Sequence, residues 1–287
     1  MEIGLLVSGN LGVKVFSGLL NNTKINFVLT DKGSTHIISL CHEHNIICFA
    51  GNPRNGKVLS MYPNLSCDIL LSVNYLFLIE KDIIELPKRI AINFHGSLLP
   101  KYRVRTPHVW AIINNEKETG ITAHVIDDDC DTGAVIEQRK IAIGCDDTGA
   151  TILENFNNIY PSFVNDVLKN IESGNFSVTE QDNSLATYFG KRTAEDGLID
   201  WNWQKERINN WVRAQAKPYP GAFTYYNTEK IIIHKIEFSE FGFNFDTPNG
   251  QIVAIEDSKP IIKTPNGCVK LVEYEFNNKI EIFKILK

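Results

Sequence analysis

Long apolar runs, a secretion signal and a cysteine pattern are all missing from the sequence, and each absence excludes a class of protein. The longest apolar runs are far shorter than the ~20 residues needed to cross a bilayer, so we expect no membrane partner. The first residues carry neither a basic region nor a small-residue cleavage site, which predicts a cytoplasmic protein. The six cysteines form no CxxC pair, as expected of reduced thiols, and we predict no metal.

An excess of positive charge is also missing. The 29 Lys and Arg are outnumbered by 34 Asp and Glu, which gives a net charge of -5. Residues 190–287 hold 14 basic and 13 acidic side chains, whereas a domain that binds RNA should be clearly basic. We therefore expect no nucleic-acid partner. The length of 287 residues and a hydrophobic fraction of 43% allow one sizeable core and a smaller domain.

Several nucleotide-binding and catalytic motifs are absent or incomplete. The sequence has no Walker loop and no G-x-S-x-G elbow. Residues 8–12 lack the full G-x-G-x-x-G spacing, although Asp31 lies near the end of the second predicted strand. Asp-Thr-Gly occurs at Asp131 and again at Asp147. These copies are too close in sequence for an aspartic protease, whose dyad needs two separate β lobes.

The first part of the chain alternates short apolar strands with helices. Strands are predicted over residues 3–8, 25–30, 46–50, 68–73 and 90–94, and helices over 11–20 and 34–43. This alternation indicates an α/β fold with a mostly parallel sheet and helices on both faces. Ligands of such sheets bind at the carboxyl ends of the strands, so a site is expected where the strand over 90–94 ends.

The pattern changes in the second half. Thr106 is predicted to cap a helix with Pro107 at its first position. Further strands are predicted over 119–127 and 134–143, and a long helix over 148–173 that Pro161 should kink or split.

A polar segment over residues 175–186 is interpreted as a linker. Beyond it, short runs between turn signals predict the strands of a small β domain: 222–226, 230–238, 251–255, 260–263 and 269–276. We therefore predict one domain over residues 1–180 and a second over 187–287.

Asn93 and His95 lie at the end of the last predicted parallel strand. Residues two apart on a strand face the same side, so the amide and the imidazole should point together into the cleft. A loop histidine satisfied by the backbone is the alternative. Asp131 lies in the turn between the next two strands, where it is either a solvated turn residue or a carboxylate that orients a catalytic imidazole.

Three further side chains are assigned no catalytic or metal-binding role. Cys130 precedes Asp131, but nothing nearby in sequence marks its thiol as activated. His108 and His124 are interpreted as ordinary helix and strand residues, because no carboxylate or thiol falls at a metal-ligand spacing from them.

These motifs together resemble the N10-formyltetrahydrofolate-dependent formyltransferases, the family of methionyl-tRNA formyltransferase and the sugar N-formyltransferases. The resemblance runs through residues 93–103, 105–107, 110–112, 118–122 and 131–133, and more loosely through 188–193, 195–201 and 217–223. It implies a Rossmann-like catalytic formyltransferase domain followed by an open-barrel, OB-like β domain. Val104 departs from the pattern, because relatives usually carry Gly there.

The resemblance also implies a set of site residues. Asn93, His95 and Asp131 fall on the catalytic positions, where Asn93 would stabilise an oxyanion and His95 would move protons. Contacts with the co-substrate N10-formyltetrahydrofolate are expected from Ser97, Leu98, Leu99, Pro100 and Asp127. Contacts with the acceptor are expected from Asn10 and Arg105.

The acceptor we favour is the primary amine of a nucleotide-linked amino sugar, with a role in lipopolysaccharide or glycan biosynthesis. The segments after Arg105 and over residues 191–201 look like sugar N-formyltransferases, and the balanced charge of the C-terminal part agrees. Methionyl-tRNA formyltransferase is the alternative enzyme. A silent binding domain is a third reading, against which the intact catalytic positions argue. The sequence leaves open a homodimer.

Overall fold

The computed structural model describes residues 1–287, which form fourteen strands and seven α-helices. The strands are β1 (Glu2–Val7), β2 (Lys24–Thr30), β3 (Ile47–Ala50), β4 (Cys67–Val73), β5 (Pro87–His95), β6 (Arg103–Val104), β7 (Glu118–Val125), β8 (Val135–Ala142), β9 (Tyr188–Phe189), β10 (Ala222–Tyr226), β11 (Glu229–Ser239), β12 (Ile252–Glu256), β13 (Lys259–Thr264) and β14 (Gly267–Glu275). The helices are α1 (Gly9–Leu20), α2 (Thr35–Glu43), α3 (Lys57–Met61), α4 (Lys81–Ile84), α5 (Pro107–Ile113), α6 (Gly149–Glu172) and α7 (Lys205–Ala214). None of the helices combines the length and the apolarity needed to cross a membrane.

The alternating first part of the chain forms a seven-stranded sheet in the order β3-β2-β1-β4-β5-β7-β8. The strands from β3 to β5 pair in parallel, and β7 joins β5 antiparallel. Consecutive residues of β4, such as Ile69, Leu70 and Leu71, have no exposed surface, which requires that both faces of the sheet be covered. The predicted mostly parallel α/β fold is confirmed.

The strand order reverses between β1 and β4, whose neighbours β2 and β5 lie on opposite sides. In open α/β sheets the crevice at the carboxyl ends beside such a switch point is the usual ligand site. Ser8 and Asn74 follow β1 and β4 at this edge, where the side-chain amide of Asn74 donates to the carbonyl oxygen of Ser8 at 3.0 Å. The carboxyl end of β5, with Asn93 and His95, lies at the same edge of the sheet.

Helix α6 runs without a break through Pro161, so of the predicted kink or split the split is wrong, and the kink stays a prediction. Phe163, Val167 and Ile171 on its buried face have no exposed surface, and this packing outweighs the hydrogen bond that a proline inside a helix forfeits. The helix ends before Gly174, whose φ of +74° is the left-handed conformation that commonly follows a helix.

The start of helix α5 differs from the prediction. Pro107 is its first residue, as expected, but Thr106 does not cap the helix with its side chain. Thr106 has a φ of +47°, and its hydroxyl is buried without a hydrogen-bond partner. An N-cap residue normally has extended φ and ψ values, which bring its side-chain oxygen to the free N–H groups.

The segment over residues 175–186 is not a free linker, and that interpretation is wrong. Thr179 and Val135 exchange two backbone hydrogen bonds of 2.8 Å each. Residues 188–189 then form strand β9, which pairs in parallel with β6. We call residues 179–189 the strap. Its polar, largely exposed composition resembles a linker, but its backbone and several of its polar side chains are hydrogen-bonded to the first part of the chain.

The chain divides into two compact units. The first comprises residues 1–105, 119–141 and 154–189 and holds the body of the seven-stranded sheet. The second comprises residues 106–118, 142–153 and 190–287 and holds α5, α7 and strands β10 to β14. Helix α7 was not predicted from the sequence.

The second unit contains an antiparallel sheet in the order β10-β11-β14-β13-β12, which confirms the predicted C-terminal β domain. Both of its edge strands pair with the residues that follow Phe283. Lys287 exchanges two backbone hydrogen bonds with Tyr225 of β10, and Ile252 at the start of β12 donates to Lys284 at 2.9 Å. Gly250 allows this close approach, since a Cβ there would lie 2.8 Å from the carbonyl oxygen of Leu286. The tail therefore covers two edges at once.

Candidate active site

Strands β5 and β7 bring the polar side chains of the site together. Their antiparallel register places Asn93 opposite His124 and His95 opposite Thr122. Asn93 and His95 both contact the carboxylate of Asp131, as the two-residue alternation of a strand predicts. The structure thus brings together all three residues that the sequence singled out for catalysis.

The amide of Asn93 has a fixed orientation. Its nitrogen lies 3.1 Å from Oδ1 of Asp131 and 3.1 Å from Nε2 of His124. An ionised carboxylate only accepts hydrogen bonds, so the NH₂ group and not the carbonyl oxygen of Asn93 must face it. Both amide hydrogens are therefore engaged by neighbours.

His95 presents one specific nitrogen to Asp131. Its Nε2 lies 2.8 Å from the carbonyl oxygen of Tyr102, which only accepts, so Nε2 carries a hydrogen. The other ring nitrogen, Nδ1, lies 3.4 Å from Oδ2 of Asp131. In the neutral imidazole Nδ1 is then the unprotonated nitrogen, the one that can accept a proton.

Burial and charge set the ionisation of this pair in opposite directions. Burial lowers the pKa of His95, and the nearby Asp131 carboxylate and the Tyr102 carbonyl only partly oppose that shift. Burial raises the pKa of Asp131, but His95, His124 and the N–H of Val104 outweigh it and hold that pKa well below its usual range. At neutral pH the arrangement is therefore an ionised carboxylate beside a neutral imidazole.

His124 belongs to the site, although the sequence analysis interpreted it as an ordinary strand residue. Only 2% of its side chain is exposed. Its Nδ1 lies 2.8 Å from the carbonyl oxygen of Val125 and so carries the hydrogen, which leaves Nε2 to accept from Asn93. The antiparallel pairing of β7 with β5 was the missing information, because it alone makes Asn93 and His124 neighbours.

The turn that carries Asp131 is held from several sides. Asp131 has a φ of +59°, and its Oδ2 accepts from the backbone N–H of Val104 at 2.9 Å. Gln181 of the strap donates to the carbonyl oxygens of Asp131 and Gly133 at 2.9 and 2.7 Å. A Cβ at Gly133 would collide with the carbonyl oxygen of Val125, so only glycine fits there.

Val104 keeps the glycine-like path of the loop at the position where relatives usually carry Gly. Its φ of +82° is an outlier for a β-branched residue, because the left-handed region crowds the Cβ. This strained conformation directs the N–H of Val104 at Asp131. Val104 thus occupies a backbone conformation that favours glycine.

The loop predicted to contact the folate is held by a hydrogen bond of its own and by bonds with Thr122 and Gln138. The Ser97 hydroxyl is buried and donates to the carbonyl oxygen of Lys101 at 2.7 Å. Leu99 is also buried, and its carbonyl oxygen accepts from Gln138 at 2.9 Å. Leu98 and Pro100 are half-buried and are the loop side chains that retain exposed surface.

The remaining predicted ligand contacts lie at the surface. Asp127 accepts from the hydroxyl of Thr132 with both carboxylate oxygens at 2.8 Å. Asn10 is exposed in the first turn of α1, next to the carboxyl end of β1, and Arg105 is exposed directly after β6. Their roles as ligand contacts stay predictions.

The structure gives two of the residues set aside in the sequence analysis no catalytic geometry. His108 lies in α5, where its Nε2 is 2.9 Å from the hydroxyl of Tyr219 and burial lowers its pKa to about 4. Burial and the neighbouring Asp131 raise the pKa of the Cys130 thiol, the opposite of what an activated nucleophile needs.

Comparison with known proteins assigns a family to this site. Residues 15–168 match the formyl transferase model, and residues 191–283 match the formyl transferase C-terminal domain. The chain belongs to the formyl transferase family. A methionyl-tRNA formyltransferase of Ruminiclostridium cellulolyticum is 35% identical over 214 residues, which are 75% of this chain and 68% of that protein. The prediction of an N-formyltransferase is confirmed.

Solved structures share the fold of this formyltransferase at low identity. The sugar 3N-formyltransferase WlaRD, solved with dTDP and 5-N-formyl-THF, aligns with a TM-score of 0.71 at 21% identity over 94% of this chain and 97% of that one. An N-formyltransferase from Helicobacter canadensis, solved with folinic acid and dTDP-3-aminofucose, gives 0.70 at 20% identity over 96% and 98%.

Proposed function

We propose that this formyltransferase moves the formyl group of N10-formyltetrahydrofolate to the primary amine of a nucleotide-linked amino sugar. The formyl-transfer chemistry in this proposal rests on one observation. The ionised carboxylate of Asp131 contacts both the amide of Asn93 and the imidazole of His95. Formyl transfer needs a hydrogen-bond donor for the formyl oxygen and an acceptor for the amine proton, and this site supplies both.

His95 is the proton acceptor in this proposal. Transfer requires that a neutral amine attack the formyl carbon and lose a proton as the new C–N bond forms. Nδ1 of His95 carries the free lone pair, and the imidazolium formed there would face Oδ2 of Asp131 at 3.4 Å. The same proton then leaves with the folate nitrogen as the old C–N bond breaks, which returns His95 to its neutral form.

Asn93 supplies the donor for the negative charge that develops on the formyl oxygen. Because both of its amide hydrogens are engaged, one bond must be exchanged for the formyl oxygen. Asp131 accepts from Asn93 through Oδ1 and faces His95 through Oδ2. A proton arriving on His95 would draw the carboxylate toward the imidazolium and free a hydrogen of Asn93. Base catalysis and oxyanion stabilisation would thus be coupled through a single carboxylate.

An amino sugar is favoured as the acceptor by two observations. The sugar N-formyltransferase structures align over nearly their whole length, whereas the chain covers 68% of the methionyl-tRNA enzyme. Residues 190–287 are nearly charge-balanced, which gives no strong attraction for RNA phosphates. The 35% identity to the methionyl-tRNA enzyme keeps that acceptor as the second candidate.

The experiment is a turnover assay with N10-formyltetrahydrofolate and a panel of amines. We expect saturable formation of tetrahydrofolate with at least one UDP-, dTDP- or GDP-linked amino sugar, and little with charged initiator tRNA. Transfer to initiator methionyl-tRNA with no turnover of any nucleotide sugar would show that the proposed acceptor is wrong and that the proposed formyl-transfer chemistry is right. No transfer to any amine would refute the whole proposal.

A further inference from the structure

A buried arginine lies beside the site among neutral partners. Arg103 is the largest of the fully buried side chains, with 1% of its surface exposed. Its guanidinium donates to the side-chain oxygens of Gln181, Asn183 and Tyr188. A buried charge is expensive unless it is paired or fully hydrogen-bonded, and here neutral oxygens alone satisfy it. Such an arrangement suggests a role other than a stabilising salt bridge.

Gln181 connects this guanidinium to the turn that carries Asp131. Its Oε1 accepts from Nε and Nη2 of Arg103 at 3.2 and 2.8 Å. Its Nε2 donates to the carbonyl oxygens of Asp131 and Gly133 at 2.9 and 2.7 Å. A glutamine amide offers two lone pairs and two hydrogens, and all four are used. The amide cannot turn without disturbing the bonds on both sides.

The residues on either side of Arg103 hold the catalytic pair through their backbones. Tyr102 accepts from Nε2 of His95, and Val104 donates to Oδ2 of Asp131. Tyr102 and Val104 have φ values of +58° and +82°, left-handed conformations that persist only where the surroundings fix them. Arg103 thus anchors the stretch of chain that sets His95 and Asp131 against each other.

We propose that Arg103 and Gln181 are positioning residues that fix the Asp131 carboxylate relative to Nδ1 of His95 for formyl transfer. This inference rests on the proposed function in taking that pair as the proton-transfer machinery. Neither residue needs to touch the substrate, since Gln181 acts on the backbone of Asp131 and Arg103 acts on Gln181. Misplacement by about 1 Å can cost on the order of 100-fold in rate, so a bond two steps from the chemistry can matter.

The sharpest test is Gln181→Glu, with Asn183→Asp as its matched control. Both variants place a carboxylate on the same guanidinium, because Asn183 accepts from Arg103 at 2.8 Å. Only Gln181→Glu loses the donors to Asp131 and Gly133 and turns an oxygen toward their carbonyls. We expect kcat to fall about tenfold or more in Gln181→Glu while KM for the folate stays within about threefold, since only the proton-transfer geometry is disturbed. Asn183→Asp should keep kcat near that of the wild type. Gln181→Glu should melt at a lower temperature, because its oxygen faces two carbonyls, so kcat of both variants is measured well below their melting temperatures.

A titration of His95 by NMR measures the position of Asp131 relative to His95 without any substrate. The titratable neighbours of His95 are Asp131, whose carboxylate raises its pKa, and His124, which lowers it. Loosening Asp131 should therefore move the His95 midpoint to lower pH in Gln181→Glu than in Asn183→Asp, which carries the same added charge. His95→Asn assigns the signal. If the wild type transfers no formyl group, the proposed function fails, yet this titration still decides the positioning role.

Equal kcat and equal His95 midpoints in the two variants would overturn the proposal and leave Arg103 and Gln181 as purely structural. If Gln181→Glu does not fold, Gln181→Asn replaces it. That side chain keeps the amide but is one methylene too short to reach both Arg103 and Asp131. It should also lower kcat and shift the midpoint, and wild-type values in Gln181→Asn would count equally against the proposal.

Discussion

The chain contains the tripeptide Asp-Thr-Gly twice, and the two copies have different surroundings. The carboxylate of Asp131 contacts an amide, an imidazole and a backbone N–H, at a left-handed φ. Asp147 accepts from the backbone N–H of Gly144 and the hydroxyl of Thr151, ahead of helix α6. The first copy faces the side chains proposed to carry the chemistry, and the second organises the start of a helix. A short motif therefore gives a local conformation, while its neighbours decide its role.

Their backbones are nonetheless fixed in similar ways. A strap side chain, Gln181, donates to the carbonyl oxygen of Asp131, and Arg213 of α7 donates to that of Asp147 at 2.6 Å. In each copy a Cβ on the glycine, Gly133 or Gly149, would collide with a backbone carbonyl oxygen. The shared tripeptide thus reflects a shared steric requirement, and the difference lies in what each aspartate faces.

Asparagine substitutions should separate the two copies most strongly. Asp131→Asn removes the charge that stabilises the imidazolium, so we expect kcat/KM to fall by on the order of 100-fold or more. Asp147→Asn should leave kcat/KM within about twofold and lower the free energy of unfolding by about 1 kcal/mol, through a weakened turn. Steady-state kinetics and urea denaturation of both variants measure this. A comparable loss of activity in both would show that the two turns are not functionally distinct.

Alanine substitutions at the glycines of the two Asp-Thr-Gly copies should, in contrast, affect both copies alike. Gly133→Ala and Gly149→Ala each force a methyl group into a carbonyl oxygen, so we expect each to lower the free energy of unfolding by roughly 2 kcal/mol or more. Thermal melting tests both. Gly190, whose added Cβ would meet nothing within 4 Å, supplies the control Gly190→Ala, which should melt close to the wild type. Unchanged melting of Gly133→Ala would contradict the steric account.

The pH dependence of turnover should report the environment of the first copy. In the proposed mechanism the neutral imidazole of His95 is the active form, so kcat/KM should rise with pH and level off. Because burial lowers the pKa of His95, the midpoint should lie below its ordinary value of about 6.5. In Asp131→Asn the midpoint should fall further, since the attracting carboxylate is gone, whereas Asp147→Asn should keep the wild-type midpoint. A rise centred above pH 7 would contradict the assignment of His95 as the base.

The smallest expected effect comes from Val104, whose backbone N–H donates to the carboxylate of the first copy as the N–H of Gly144 does to that of the second. Val104→Gly relieves the strain of a left-handed β-branched residue but adds entropy to the unfolded chain, so we expect a net stabilisation of roughly 1 kcal/mol or less. Turnover should change by less than about threefold, because the N–H that reaches Asp131 remains. Denaturation and kinetics test both statements. Destabilisation would mean that packing of the valine side chain outweighs the backbone strain.

The parts of the structure that follow from local pattern were predictable from sequence. Alternating apolar strands predicted the parallel sheet, and the spacing of Asn93 and His95 predicted two side chains on one face. His124 could not be found this way, because its proximity to Asn93 depends on antiparallel pairing between β5 and β7. Gln181 was missed for a related reason. Its polar segment resembles a linker until the partners of each side chain are known.

Closure of the C-terminal sheet by its own tail bears on how the chain folds as it is made. Phe223 of β10 accepts from the N–H of Ile199, but the end of β10 and the start of β12 stay unpaired until residues 284–287 have been synthesised, because those residues complete the hydrogen bonds on both sides. During translation this domain would expose two open strand edges, which are templates for pairing with other chains. Its final structure can therefore form only after synthesis of the tail, whatever the folding state of the preceding unit.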